Sequence, residues 1–553
     1  MPSVDTASAI LESLDALGVT HVLYCPGSRS APFAYALEAG SFGGDARAVL
    51  DERGAGFAAV GLARTGALPA IVVTSGTAVA ELAPAVLEAS HARLPLLLLT
   101  ADRPGELRGV GASQATDQAG FFGTHVRASI DLEPQEASPS LVGHLTRAVA
   151  AACGAPSGTP GPVQVNVAFR DPLTPVRPAS ASGNEAGASF VPRPAQVVAA
   201  FPVPVRWEGV VGPAAAGLIV AGEGASPFAR EWSEASGFPL LAEPASGAWS
   251  GGGVTPFEQT LVASSLGREV DAVVVTGRPT LSRPIQALLA RPDVRVVVVD
   301  PHSPWVDISG NASVVVADLE PAREPVRAAQ AEWASHVRDA AREAGERIDS
   351  LLASGSGRTM LDLARAVAAS TSGPLVLGAS NPVRAFDLAV PTLEGRVVHS
   401  NRGQAGIDGT IATAVGICLG SGYAGETSAP ARERVTAVMG DLTACHDASS
   451  LALAASMGAH LDIVVADDGG GGIFATLEHG RATSPEAYDR WFGLAQSVDY
   501  EALAAAYGVA FARAETPAQL AQLLETPQAG PRLVHAPVER AAHLYPAIRD
   551  VLS

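Results

Sequence analysis

Apolar runs of five to seven residues recur along the chain, alternating with stretches in which apolar positions return every three or four residues. Residues 6–17 carry the second pattern and predict a helix that Gly18 stops, and His21–Cys25 then predicts a strand. Runs at 69–74, 94–100 and 163–168 predict three more strands. Strands separated by helices imply a parallel sheet covered on both faces. Residues 177–215 are rich in Pro, Ala, Ser and Gly, lack periodicity and predict a linker. A second alternation follows, with strands expected at 217–222, 271–277 and 294–300, and the charged stretch 331–353 reads as an exposed helix. After a Gly/Ser break at 354–357, a third alternation places strands at 374–380, 396–400, 434–440 and 461–467. The expected fold is α/β, with three doubly wound parallel-sheet domains at 1–176, 216–353 and 354–553, joined first by the 177–215 linker. The first and third domains share a strand–helix rhythm without a repeat at sequence level.

Composition sharpens this picture. A chain of 553 residues is too long for one core. Hydrophobic residues make up 47% and aromatics 5%, which suits many small Ala/Val/Leu-rich elements. The net charge is −19 and no Lys/Arg block occurs, which argues against nucleic-acid partners and anionic membrane surfaces. Cys25, Cys153, Cys418 and Cys445 show neither metal-ligand spacing nor a disulfide framework, so a cytoplasmic setting is expected. The N-terminal segment reads as an amphipathic helix rather than a signal peptide. The longest apolar runs are strand-sized, too short to span a bilayer.

The sharpest chemistry lies in the third domain. One strand ends in Gly440-Asp441, and the next ends in Asp467-Asp468 followed by Gly469 to Gly472, Ile473 and Phe474. Two acidic loop ends at the carboxyl edges of neighbouring strands suit a hard divalent cation. The glycines let backbone groups approach a diphosphate closely, and phosphates complete the coordination of Mg²⁺. In the first domain, Asp51-Glu52-Arg53-Gly54 opens a helical run, and Thr74-Ser75-Gly76-Thr77 follows a strand. Arg29, Arg103, Arg384 and Arg402 sit in Gly/Ser/Asn-rich loops at expected strand ends, where an acidic protein can grip carboxylates bidentately. Gly222-Glu223-Gly224 and Asp300 in the middle domain form only a weak dinucleotide signal, and a structural role is expected there. Arg278 and Arg283 are candidates to reach the site from that domain. His446 and Cys445 read as packing residues.

The Gly440-Asp441 and Asp467-Asp468 pair resembles the diphosphate-binding motif of thiamine diphosphate enzymes. Leu442 stands at its third position, and two aspartates replace the usual asparagines. Four further segments are Cys25 to Ser30, Ala101 to Pro104 with Gly111 to Gln114, Ser380 to Arg384, and Ser400 to Gly409. With them, the chain resembles the 2-succinyl-5-enolpyruvyl-6-hydroxy-3-cyclohexene-1-carboxylate synthase family over nearly its whole length, more thinly between 177 and 345. The resemblance implies the pyruvate decarboxylase-like arrangement of domains, with thiamine diphosphate and Mg²⁺ (or Mn²⁺) as cofactors. It also implies a homodimer or homotetramer whose active site lies at the subunit interface. The implied reaction decarboxylates 2-oxoglutarate and adds the succinyl-semialdehyde carbanion to isochorismate in menaquinone biosynthesis. Carried over, Glu52 partners the aminopyrimidine ring as the catalytic residue. Asp441, Asp468 and the Gly470 carbonyl hold the metal. Thr74, Gly76, Ile407, Gly440, Leu442, Ile473 and Phe474 bind the cofactor, Ile407 by propping it in a bent shape. Ser28, Arg29, Arg103, Gln114, Ser380, Arg384 and Arg402 meet substrate, with Ile473, Phe474 and Leu477 as an apolar wall. Ser113 departs from the family's asparagine. Two alternatives stay open at this stage: another thiamine diphosphate-dependent 2-oxo acid decarboxylase or acetohydroxyacid synthase-like enzyme, and a non-catalytic nucleotide-binding regulator.

Overall fold

A computed structural model describes residues 3–175, 191–422, 434–526 and 528–553. Three sheets organise the described residues, and every pairing between their strands is parallel. The first contains β1 (His21–Tyr24), β2 (Asp45–Ala48), β3 (Pro69–Val73), β4 (Leu96–Asp102), β5 (Ala128–Leu132) and β6 (Pro162–Ala168), in the order β2-β1-β3-β4-β6-β5. The middle sheet contains β7 (Gly217–Ala221), β8 (Leu240–Ala242), β9 (Ala272–Thr276), β10 (Arg295–Val299) and β11 (Ala312–Val316), in the order β11-β10-β9-β7-β8. The third contains β12 (Leu375–Leu377), β13 (Val398–His399), β14 (Val435–Gly440), β15 (Leu461–Asp467), β16 (Ala510–Arg513) and β17 (Arg532–Pro537), in the order β13-β12-β14-β15-β17-β16. The first and third sheets therefore have one topology.

The chain divides into two compact units. One comprises Met1–Phe201 with Ile411–Gly422 and Ser449–Met457, and holds the first sheet. Its helix Glu52–Arg64 crosses the helix Thr410–Gly420 backbone to backbone. A Cβ on Gly61 would overlap the Thr413 carbonyl, and one on Gly416 would overlap the Ala58 carbonyl. The other unit holds the middle and third sheets. In β7, Ile219 and Ala221 join the core cluster shared with the third sheet, whereas Leu218 and Val220 face a second cluster. Both faces are buried, so the middle strands read as unbroken apolar runs.

Two local expectations need correction. The helix over 331–353 runs from Ala328 to Ala353 and is not exposed all round. Trp333, Val337, Ala341, Ala344, Ile348 and Leu352 form a buried stripe at helical spacing. Of the expected linker, residues 177–190 lie outside the described residues, and 191–204 have no regular structure. Trp207 and Val211, also within it, are core residues on a short helix and its end. The weak dinucleotide signal is closed off, because a Cβ on Gly222 would overlap the Arg278 backbone and the Arg278 amide donates to the Glu223 carbonyl at 2.9 Å. No helix among the described residues is long and apolar enough to cross a membrane.

Candidate active site

In the first unit, the candidate residues follow the carboxyl ends of β1, β2, β3 and β4, where a parallel sheet presents its loops. Glu52 is the first residue of the helix Glu52–Arg64, and Asp51 caps that helix by accepting from the amides of Arg53 (2.9 Å) and Gly54 (3.2 Å). Ser449 Oγ donates to the other Asp51 oxygen at 3.0 Å, fixing the turn that aims Glu52. Burial raises the Glu52 pKa, and the charges of Asp51 and Glu81 add to the shift. The buried Cys25 thiol is pushed up by desolvation and by the Glu52 and Asp51 charges, which puts the end of β1 beside Glu52.

Thr74 is buried, and a Cβ on Gly27 would overlap its side chain, so the Cys25 to Ser30 loop packs directly on the turn after β3. Gly76, at φ +81°, completes that turn. Arg103 Nη1 donates to Ser75 Oγ (2.5 Å) and to the Gln114 carbonyl (2.6 Å), and Gln114 Nε2 donates to the Ser75 carbonyl at 2.9 Å. Arg29, half-buried, donates to the Phe169 carbonyl at 2.9 Å and feels the Arg103 charge. Ser28 is exposed beside it. Thr74, Gly76, Arg29, Arg103 and Gln114 are thus brought together with Glu52 in one unit.

The second unit gathers the acidic residues. Asp441 opens the short helix Asp441–His446 directly after β14 and is 3% exposed. Its Oδ1 accepts from the Leu442 amide at 2.8 Å, and its Oδ2 is buried without a hydrogen-bond partner among the described residues. Desolvation, with the charges of Asp468 and Asp467, pushes Asp441 up to about 7. Desolvation likewise lifts Asp468 to about 6, opposed by the Arg540 guanidinium. Asp467 goes the other way, because His535 Nε2 lies 2.9 Å from its Oδ2. Two desolvated carboxyls and an orphaned oxygen fit a cation whose charge would replace the lost hydration. Among the described residues no cluster of three or more His, Cys, Asp or Glu side chains has metal-binding geometry, so such a cation needs oxygens from elsewhere. A bound diphosphate would supply them.

The loop after β15 is shaped for close approach. A Cβ on Gly470 would overlap the Gly493 carbonyl, and one on Gly472 would overlap the Asp468 carboxylate. The Gly470 carbonyl accepts from the Gly472 amide at 2.9 Å and keeps a second lone pair. Ile473, Phe474 and Leu477 follow, half-buried, on or next to the 3₁₀ turn Gly472–Thr476. Two residues missed in the sequence hold this loop. Arg540 donates to the carbonyls of Asp468 (2.7 Å) and Gly469, and Tyr488 Oη donates to the Gly471 carbonyl at 2.8 Å. Neither stands in a motif.

Ser380 precedes the helix Asn381–Ala389, which carries Arg384. Arg384 and the 5%-exposed Arg402 both donate to the Ala379 carbonyl, at 3.1 and 3.2 Å. Burial and the neighbouring Arg402 charge pull Arg384 down to about 10. Arg278 donates to the carbonyls of Arg402 (2.7 Å) and Gly403 (2.9 Å), so it braces this loop, whereas Arg283 pairs at the surface with Glu478 (3.4 Å). Ile407 is half-buried in the same loop. A cavity of about 20 Å³ is lined in part by Asn381, Asp468, Gly472 and Tyr545, with Asn381 Oδ1 and Tyr545 Oη buried and unpartnered among the described residues. Cys445 Sγ lies 3.9 Å from Tyr500 Oη, and His446 lies 3.8 Å from Asp408.

Residues 4–121 match the family described as thiamine pyrophosphate enzyme, N-terminal TPP binding domain, and residues 385–536 match its C-terminal TPP binding domain. Several relatives that match over nearly the whole chain carry the name 2-succinyl-5-enolpyruvyl-6-hydroxy-3-cyclohexene-1-carboxylate synthase. The Kineococcus radiotolerans protein is 42% identical over 96% of this chain and 95% of its own. The Nocardioides sp. protein is 40% identical over 97% and 95%, and that of Mycobacterium leprae 37% over the whole of both.

Proposed function

Because the chain belongs to the 2-succinyl-5-enolpyruvyl-6-hydroxy-3-cyclohexene-1-carboxylate synthase family of thiamine diphosphate-dependent enzymes, we propose that the residues at its strand ends divide the work of that reaction. The enzyme is a transferase of menaquinone biosynthesis that decarboxylates 2-oxoglutarate and joins the remaining four-carbon unit to isochorismate by 1,4-addition. Thiamine diphosphate, when bound, supplies the electron sink that this decarboxylation requires.

Glu52 exchanges a proton with a ring nitrogen of the aminopyrimidine, a task suited to a carboxyl whose pKa burial has raised. Thr74 and Gly76 form the turn beside it. Asp441, Asp468 and the Gly470 carbonyl hold Mg²⁺, and Gly440 and Leu442 flank the diphosphate. Arg29, Arg103, Arg384 and Arg402 receive substrate carboxylates, with Ser28, Gln114 and Ser380 as neutral partners. Ile473, Phe474 and Leu477 exclude water, which would quench a carbanion by protonation, and Ile407 supports the cofactor. The observation that carries this division is the buried Asp441 carboxyl, set against Asp467 and near Asp468, with one oxygen that meets no donor among the described residues. We further propose that residues 1–176, 216–353 and 354–553 act as aminopyrimidine-binding, middle and diphosphate-binding domains. Family membership supports a homodimer or homotetramer, and four free cysteines support a cytoplasmic location.

The test combines purified protein, thiamine diphosphate, Mg²⁺, 2-oxoglutarate and isochorismate, following isochorismate loss and product mass. Turnover should need every component. Glu52→Gln should lower kcat by roughly 10²-fold or more while cofactor still binds. Full activity of that variant would remove Glu52 from the chemistry.

A further inference from the structure

Beneath Arg103 and Gly76 lies a set of buried polar side chains that the assigned roles do not use. Asn166, in β6, is fully buried. Its Nδ2 donates to Asp102 Oδ2 at 2.9 Å and to Asp131 Oδ1 at 2.7 Å. Its Oδ1 accepts from Thr100 Oγ1 at 2.9 Å and from Gln118 Nε2 at 2.8 Å. Both amide hydrogens and both lone pairs are used, which fixes the side chain completely.

Two limbs leave this centre. Through Gln118, 1% exposed, one limb reaches the cofactor turn, where Gln118 Oε1 accepts from the Gly76 amide at 3.4 Å. Through Asp102, the other reaches the substrate arginine. Asp102 Oδ1 accepts from the Arg103 amide at 2.7 Å, and Arg108 Nε donates to the Arg103 carbonyl at 2.9 Å. Arg108 is itself held by Asp102 (3.1 Å) and Asp131 (2.7 Å). The Arg103 side chain then returns to Ser75, next to Gly76. Arg103, Ser75, Gly76, Gln118, Asn166 and Asp102 therefore form a closed circuit. A fully satisfied buried network is stiffer than the sum of its bonds, and small misplacements at a reacting site are costly.

We propose that Asn166 and Arg108 are positioning residues of the synthase, holding the Arg103 guanidinium at one setting against the Gly76 turn. Neither need touch substrate. This rests on Arg103 receiving a substrate carboxylate, so Arg103→Ala is measured alongside.

The decisive variant is Arg108→Gln, at the partly exposed end of the network, where folding is least at risk. It should raise the KM of the same substrate whose KM Arg103→Ala raises, by roughly tenfold, while kcat stays within about threefold. Arg108→Lys keeps the charge beside Asp102 and Asp131 and should recover part of the loss. Asn166→Asp, which sets a third carboxylate among two, should raise that KM and the half-saturating thiamine diphosphate concentration together. Circular dichroism and thermal melting establish that each variant is folded. If Arg103→Ala raises a KM and Arg108→Gln does not, the positioning role falls and the substrate reading stands. A parallel fall of kcat and melting temperature at unchanged KM would also overturn it, as the mark of a merely structural residue. If Arg103→Ala raises neither KM, the substrate reading falls and the positioning role with it.

Discussion

At Asp441 a carboxyl loses most of its hydration, accepts from the Leu442 amide and lies against the Asp467 carboxyl, while its second oxygen meets no amide, hydroxyl or cationic donor among the described residues. Leaving a buried charge uncompensated is destabilising, and removing it is neutral or favourable. Cofactor-free Asp441→Asn should therefore melt no lower than the parent. Adding thiamine diphosphate and Mg²⁺ should raise the melting temperature of the parent and leave the variant nearly unmoved, because only a ligand bound to the native state stabilises it. Equal shifts in the two proteins would remove Asp441 from the metal site. Elsewhere in the same unit, Glu243 and Asp387 are 3% exposed, and burial lifts them to about 8 and about 7. Both folded-state values lie above the ordinary carboxyl range. The stability these groups contribute is present at low pH and is lost as pH rises through about 7 to 8, since the native state then holds protons the unfolded chain has released. Asp387→Asn, which still offers Gln259 an acceptor, should shrink the loss of urea resistance between about pH 5.5 and about pH 8.5 by at least about 1 kcal/mol. An unchanged pH slope would contradict this.

Elements meet where side chains permit. The crossing of Glu52–Arg64 with Thr410–Gly420 brings main chains together at Gly61 and Gly416, so a single methyl has nowhere to go. Gly61→Ala should destabilise by about 1–3 kcal/mol, read as a lower denaturation midpoint, although alanine favours helix. A stabilised variant would mean the crossing adjusts freely. The same logic explains which strands were legible. β2, β5, β8, β11 and β16 carry no strand signal in sequence, and all five are sheet edges: β8 is only three residues long, and the others are partly exposed, as at Asp45–Ala48. β17 is interior and was missed for another reason. Its Arg532 and His535 look polar in sequence, yet Arg532 pairs with Asp462 at 2.8 Å and His535 with Asp467 at 2.9 Å. Only the partner strand shows that these charges are matched.

Across the whole molecule, both units are assembled from separated stretches of chain. Residues 191–204 are largely exposed and have no regular structure, the preferred setting for proteolysis. A single nick there should yield two fragments that remain together on size exclusion without denaturant, because the N-terminal fragment shares its unit with residues 411–422 and 449–457. Separation of the fragments would contradict that division.

Sequence alone determined the α/β class, most central strands, the acidic and glycine-rich loop ends and the family, because buried parallel strands are continuous apolar runs and the loops at their ends carry short, dense motifs. Tertiary structure alone decided that Trp207 and Val211 are core, that one face of the charged helix is buried, and that Arg540, Tyr488, Gln118 and Asn166 brace the site. Those roles depend on which backbone amide or carbonyl a side chain meets. Such partners lie tens of residues away along the chain, and no local pattern encodes them.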